Sequence, residues 1–432
     1  MTTDLQRRHL LLGAAAGAVG LAAARPASAA ETWQAPSRSA PVLPTDEAFW
    51  ASVRDLYDVD RSIANLENGY WGIMARPVLQ AYIENTERVN RQNTVYARGT
   101  FPKDFEATRQ RVAMAVGAQP DEIALTRGAT EALQVLIAGY NKLKAGDVAL
   151  YSDLDYDSMQ YAMNWLKERR GVEVKTFAIP EPATRDSVLD TYRRVLAGTP
   201  GAKLLLLTHL SHRTGLVMPI REIAAMARER GVDVIVDAAH SWGQIDFNVS
   251  DLGADFVGFN LHKWIGAPVG VGFLYVRKQR LGDIDRHFAD EDWPADDIRS
   301  RVHTGTLNFA AALTVPAAID LHESITAAAK EARLRHLRNY WVERARKLPA
   351  IEILTPDDAS MHAGITSFRL AGKGSRDDNN AIVGTLRDKH RVLTVRRAGV
   401  AKGQCIRVSP ALHTTEAELD RLVAALGAVT GA

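Results

Sequence analysis

The stretch Val234-Ile235-Val236-Asp237-Ala238-Ala239-His240-Ser241, followed by Phe256-Val257-Gly258-Phe259-Asn260-Leu261-His262-Lys263-Trp264, decides how this chain is read. Each half is a short apolar run that ends in polar, chemically capable side chains. Short apolar runs bounded by turn residues are buried strands. Asp237 ends one strand, and Asn260, His262 and Lys263 follow the other. In an open α/β sheet ligands sit beyond the carboxyl ends of the strands, so these groups can converge on one site.

The same pattern extends to both sides. Ile123–Thr126, Val148–Ser152, Val172–Ala178, Lys203–Thr208, Asp233–Val236, Asp255–Phe259 and Gly270–Val276 read as strands of one sheet. Between the early strands lie helical stretches at Thr130–Lys144, Ser158–Arg170, Arg185–Ala197 and Ile220–Arg230, the last stopped by Gly231. Strand and helix alternating in this way predict a mostly parallel seven-stranded sheet covered on both faces. After Pro316 the pattern changes to one long helix, Ala317–Leu348, then Ile365–Leu370, Val392–Arg396, Cys405–Val408 and a terminal helix Glu416–Leu426. The expected α/β organisation is an N-terminal extension at 31–75, a large domain at 76–315 and a smaller α+β domain at 316–432.

Composition bounds the function. With 53 Lys and Arg against 51 Asp and Glu, the net charge of +2 gives no electrostatic case for nucleic acid or an anionic membrane. A single cysteine, Cys405, excludes an intrachain disulfide framework and a cysteine-rich metal site, and no metal is expected. The first thirty residues have the form of an export signal. Arg7-Arg8 precede an apolar, alanine- and glycine-rich stretch, then Pro26 and an Ala27-Ser28-Ala29 cleavage pattern. Adjacent arginines before a weakly hydrophobic core point to the twin-arginine export machinery and to a periplasmic or secreted location.

An acid and an amine converging at strand ends are what pyridoxal phosphate requires. The amine condenses with the cofactor aldehyde, and the carboxylate keeps the pyridine nitrogen protonated. Thr126-Arg127-Gly128-Ala129-Thr130-Glu131-Ala132 runs from a strand end through glycine into a helix. It is either a phosphate site built on free helix N–H groups or a plain capping box. In Cys405-Ile406-Arg407-Val408-Ser409-Pro410 an arginine lies inside an apolar run and needs a partner. That partner is a substrate carboxylate or a structural ion pair.

Together these segments resemble the class V aminotransferase family of fold-type I pyridoxal-phosphate enzymes, and within it the isopenicillin N epimerase group. The resemblance runs from Leu66-Glu67-Asn68-Gly69-Tyr70 to Arg407-Val408-Ser409-Pro410-Ala411-Leu412-His413. It implies that Lys263 binds the cofactor covalently and moves the α-proton, and that Asp237 pairs with the pyridine nitrogen. His240 matches the residue against the ring hydroxyl, and Tyr156 the aromatic that stacks on the ring. Ala129 through its backbone, Thr130, Asn260 and His262 match phosphate-binding positions. Thr306, in Thr304-Gly305-Thr306-Leu307-Asn308, matches a threonine that reaches the phosphate of a neighbouring subunit, which implies a homodimer with composite sites. Arg407 matches the arginine that holds the substrate carboxylate.

Two departures qualify the match. The loop Val395-Arg396-Arg397-Ala398-Gly399-Val400 lacks the catalytic cysteine of the cysteine desulfurases, and Cys405 reads as a packed residue. His212 stands where many relatives have Asn or Ser, as a second acid/base or a substrate contact. Trp71, Arg98, Arg213 and Arg397 are further candidates for the substrate pocket. The implied activity is that of an aminotransferase or epimerase on a small-molecule amino acid or peptidic substrate. The alternatives are a C–S β-lyase and a non-catalytic pyridoxal-phosphate-binding protein.

Overall fold

A computed structural model describes residues 41–431, which belong to one compact unit. The export signal read at residues 1–30 lies outside the described residues. In chain order the elements are α1 (Glu47–Arg54), β1 (Ala64–Asn65), α2 (Arg76–Arg98), α3 (Phe101–Val116), β2 (Ile123–Thr126), α4 (Ala129–Gly139), β3 (Val148–Ser152) and α5 (Asp157–Arg170). Then come β4 (Glu173–Phe177), α6 (Arg185–Ala197), β5 (Ala202–Thr208), α7 (Ile220–Arg228), β6 (Asp233–Asp237), β7 (Phe256–Asn260) and β8 (Gly272–Val276). The C-terminal part holds α8 (Phe309–Ile325), α9 (Ala327–Ala345), β9 (Ile351–Ile353), β10 (Thr366–Leu370), α10 (Arg376–His390), β11 (Val392–Leu393), β12 (Val395–Arg397), β13 (Cys405–Val408) and α11 (Glu416–Thr430).

Seven strands form one sheet in the order β2-β8-β7-β6-β5-β3-β4, and only β8 runs against the others. Successive side chains of a strand point to opposite faces, so a strand covered on both sides is apolar throughout. In β5, Leu205 and Leu207 enter one core while Leu204 and Leu206 enter the other. Helices α3, α6, α7 and α8 close the first face, and α4 and α5 the second. A smaller antiparallel sheet, β12-β13-β10-β9, packs its apolar face on α9, α10 and α11 through Phe368, Ile406, Trp341 and Leu422.

The elements depart from the sequence reading in four places. The single helix expected over 317–348 is two, because Thr326 takes a positive φ of 77° and its hydroxyl caps the N–H of Ala329. The helix formers on either side hide this break. The strand expected over 392–396 is also two: β11 pairs in parallel with β1, while β12 pairs with β13. The stretch expected as an extension at 31–75 contributes α1, whose Phe49, Trp50 and Val53 are buried, and β1. Pro316, at the expected domain boundary, sits inside α8.

After β1 the chain crosses the site as a strap. Ser409 N–H donates to Leu66 O at 2.8 Å, and Gly72 N–H donates to His262 O at 2.9 Å. The strap therefore joins the end of β13 to the segment that carries Lys263, and delivers Glu67 and Tyr70 to the space between them.

Candidate active site

At the carboxyl ends of the parallel strands is a cavity of about 460 Å³. Asp237 and Asn260 come to it as the last residues of β6 and β7; His240, His262 and Lys263 come from the turns that follow. Ala129 and Thr130 come from the first turn of α4, Tyr156 and His212 from the loops after β3 and β5, and Arg407 from β13. Thus the residues matched to cofactor and substrate roles, together with His212, line one cavity, with Thr306 the exception. Thr306 is exposed and does not reach the cavity of its own chain.

One end of the cavity is built from backbone. The first N–H groups of a helix have no intrahelical acceptor. At α4, the N–H of Ala129 donates to Asn260 Oδ1 at 2.7 Å, which leaves those of Thr130 and Glu131 as free donors by helix geometry. His262 Nδ1 is bonded to the carbonyl of Val271 at 3.0 Å, so that nitrogen carries the proton and Nε2 is left for another partner. Gly128 leaves little room for a side chain, since a Cβ would stand 3.0 Å from Asn260 Oδ1 and 3.2 Å from His262 Cε1. The Glu131 side chain closes back on the Arg127 N–H at 2.6 Å and on its guanidinium. Gly128 is the cap residue and no side chain caps this helix, so the turn is not a plain capping box, and its free N–H groups stay available to an anion.

The ring end pairs charge with burial. Asp237 is 4% exposed and accepts from Ala239 N–H at 2.9 Å. Burial pushes its carboxyl up, and the neighbouring Lys263 opposes that shift. A pyridinium N–H is the partner such a carboxylate lacks. Lys263 faces the cavity but is shielded from bulk water, and burial lowers its amine to about 8; Asp237 pulls the other way. Its Nζ lies 3.0 Å from His240 Nε2. Tyr156 is the most exposed of these groups and meets His212 edge-on, with centroids 5.1 Å apart and planes at 89°.

The loop carrying Tyr156 is braced by Asp155, a residue the sequence reading did not single out. Its carboxylate accepts from the N–H and hydroxyl of both Ser152 and Thr208, tying the ends of β3 and β5 together. Burial raises it to about 6.

The substrate end holds a cluster of charge. Arg407 is 1% exposed; it donates to Glu67 Oε1 at 2.5 Å and to the carbonyl of His212 at 3.0 Å. Arg397, opposite Cys405 on the neighbouring strand, reaches the same Glu67 oxygen at 3.4 Å. Both arginines line the cavity, so the ion pair and access to a substrate carboxylate are not alternatives. Burial and the surrounding Arg213, Arg397 and Arg407 hold His212 well below the usual imidazole range, so it rests as a neutral hydrogen-bonding group. Of the other candidates, Trp71 is half exposed against Tyr70, Arg213 is buried and paired with Asp157, and Arg98 is exposed on α2. Neither Arg98 nor Arg213 lines the cavity.

Sequence reasoning gave no role to Glu67 or Trp264. Their partners lie 340 and 24 residues away along the chain, and no local pattern marks either contact.

The residues present fit pyridoxal phosphate: an anion cradle, a buried carboxylate without a cation of its own, an amine of lowered basicity and a stacking tyrosine. The profile of the class V aminotransferases matches residues 74–422. Over 403 residues the chain is 28% identical to isopenicillin N epimerase of Streptomyces clavuligerus, covering 89% of this chain and 99% of that protein. It is also 28% identical to a probable cysteine desulfurase of Vibrio cholerae, over 80% of this chain and 87% of that one. Among solved structures, the cysteine desulfurase of Thermococcus onnurineus superposes with a TM-score of 0.75 at 20% identity, over 91% of this chain and all of that one. The cystine C–S lyase C-DES, in complex with cysteine persulfide, gives 0.73 at 24% identity over 85% and 97%. The chain belongs to the class V aminotransferase family of pyridoxal-phosphate-dependent enzymes.

Proposed function

We propose that this enzyme acts at the α-carbon of an amino acid or an amino-acid moiety of a peptide, as an aminotransferase or an epimerase. The observation that carries the reading is the placement of Lys263, a lysine of lowered basicity, in one cavity with the guanidinium of Arg407. When bound, pyridoxal phosphate supplies an electron sink for the bond broken at the α-carbon. Asp237 holds the ring nitrogen in its protonated form, and the α4 N-terminus with Thr130 and His262 anchors the phosphate. Arg407 orients the substrate carboxylate, which turns the α-hydrogen toward Lys263. Lys263 takes that proton at Nζ and returns it. Isopenicillin N epimerase as a full-length relative supports the reading.

Export belongs to the same proposal, resting on Arg7-Arg8 and the cleavage pattern that follows. So does a homodimer. Thr306 is exposed outside its own cavity, as is expected of a residue that completes a partner's phosphate site.

A C–S β-lyase is the second reading, favoured by the desulfurase relatives. A persulfide-forming route is disfavoured because Cys405 is fully buried and its thiol is raised to about 11 by that burial. The test is an assay of the mature protein with amino acids and aminoacyl peptides, following keto-acid formation, inversion at the α-carbon and sulfur release in parallel. Keto acid with an amino acceptor, or inversion alone, supports the proposal. Sulfur and pyruvate released without an acceptor assign the lyase.

A further inference from the structure

Trp264 follows the cofactor lysine directly, yet its indole turns away from solvent. Its Nε1 lies 3.3 Å from His240 Nδ1, and His240 Nε2 lies 3.0 Å from Lys263 Nζ. An indole nitrogen can only donate. Nδ1 must then be the acceptor, so the proton of the neutral imidazole is on Nε2. With a hydrogen on Nε2, the ring meets Lys263 as a donor, and Lys263 must offer its lone pair. The contacts are therefore satisfied together only when the lysine is a neutral amine.

The indole is itself fixed. The carbonyl of Trp264 accepts from Lys330 Nζ at 2.9 Å, a lysine enclosed by protein and also 3.0 Å from His322 Nδ1. On the other side Gly243, at φ +91°, lies so close that a Cβ there would be 2.7 Å from the Trp264 carbonyl carbon.

We propose that Trp264 is a positioning residue whose indole N–H fixes His240 as the Nε2–H tautomer, so that a hydrogen-bond donor faces Lys263 and the cofactor ring. The opposite tautomer would present a lone pair there, which accepts best from an ammonium and so favours the protonated lysine, the form that does not attack an aldehyde. The proposal rests on membership in the cofactor family and is independent of the choice between aminotransferase, epimerase and lyase. Asp237 on β6, Glu67 on the strap, Arg397 and Arg407 on β12 and β13, and His212 after β5 also act on Lys263 or on His240. Replacement of Trp264 by phenylalanine keeps an aromatic ring in place and leaves all of these groups unchanged.

The test is nitrogen NMR of histidine-labelled, cofactor-free protein, with the His240 signals assigned by their loss in His240→Gln. The expected spectrum has a protonated, pyrrole-type Nε2 and a pyridine-type Nδ1. In Trp264→Phe the two nitrogens move toward an averaged tautomer, and the rate of covalent cofactor capture at neutral pH falls about tenfold, the worth of one hydrogen bond. A pyridine-type Nε2 in the unmodified protein overturns the proposal without any variant. An unchanged tautomer in folded Trp264→Phe overturns it as well.

Discussion

Arg407, which lines the cavity, forms a 2.5 Å ion pair with Glu67 behind its wall, and Arg397 approaches the same carboxylate oxygen at 3.4 Å. Two guanidiniums thus share one negative charge in a region screened from water, and Glu67 Oε2 has no hydrogen-bond partner. The group carries one uncompensated positive charge, which a single substrate carboxylate neutralises. Glu67→Gln is therefore expected to destabilise the protein by about 3 kcal/mol, since removing one member of a buried pair leaves the other charge exposed to that cost. Added acetate or sulfate should recover part of the loss. Thermal melts with and without the anion check this, and a variant that melts like the parent refutes it.

Burial disfavours the ammonium form of Lys263 and brings its amine down from the ordinary 10.5 to about 8. Between these values the unfolded chain holds a proton that the native site has released. The contribution of this lysine to stability therefore rises with pH across that window, and below about pH 8 its burial cost is felt in full. Only the free amine attacks an aldehyde. Covalent capture of pyridoxal phosphate by cofactor-free protein should accordingly rise through pH 8 and then level off. Stopped-flow absorbance against pH measures the midpoint, and a value above 10 contradicts the site as described. Lys263→Ala should show no covalent capture at any pH.

Gly128 touches both Asn260 and His262, so its substitution reports on the phosphate end alone. The Cβ of Gly128→Ala would press on Asn260 Oδ1, the acceptor that holds the Ala129 N–H. Displacing this turn removes hydrogen bonds to a charged group, each worth about 1.5–3 kcal/mol. Cofactor affinity is expected to fall about 10- to 100-fold, with little change in the melting temperature of the cofactor-free protein. Equilibrium binding followed by tyrosine and tryptophan fluorescence distinguishes this outcome from general unfolding.

The inner strands of the large sheet were legible because burial on both faces makes them unbroken apolar runs, whereas the edge strand β4 is polar and largely exposed. In that sheet, β2 and β3 begin and end where the sequence reading places them, as does β13 in the smaller sheet. The convergence of the candidate residues on one cavity was legible because a parallel sheet collects them at its carboxyl edge, whatever the detail of the loops. Glu67 was not, since its meaning comes from a strap that pairs with Ser409 and lays it beside Arg407. Asp155 was not either: four donors from two strand ends make it a brace, and only one of those ends is its neighbour in sequence. Helix α2 escaped because its surface is mostly polar and only Val78 and Tyr96 are buried.

Cys405 separates this chain from enzymes that carry sulfur on a cysteine. It sits in β13 two residues before Arg407, fully buried, with its Sγ 3.5 Å from the carbonyl of Arg213. Burial raises its thiol to about 11, so at neutral pH almost none of it is thiolate, the form that attacks sulfur or alkylating agents. Native protein should resist iodoacetamide, and denatured protein should take up one equivalent. Cys405→Ala should retain turnover within about twofold and lose about 1 kcal/mol of stability, the transfer cost of one small buried group. Turnover that fell with the thiol, together with a labelled native cysteine, would return the sulfur-transfer reading to first place.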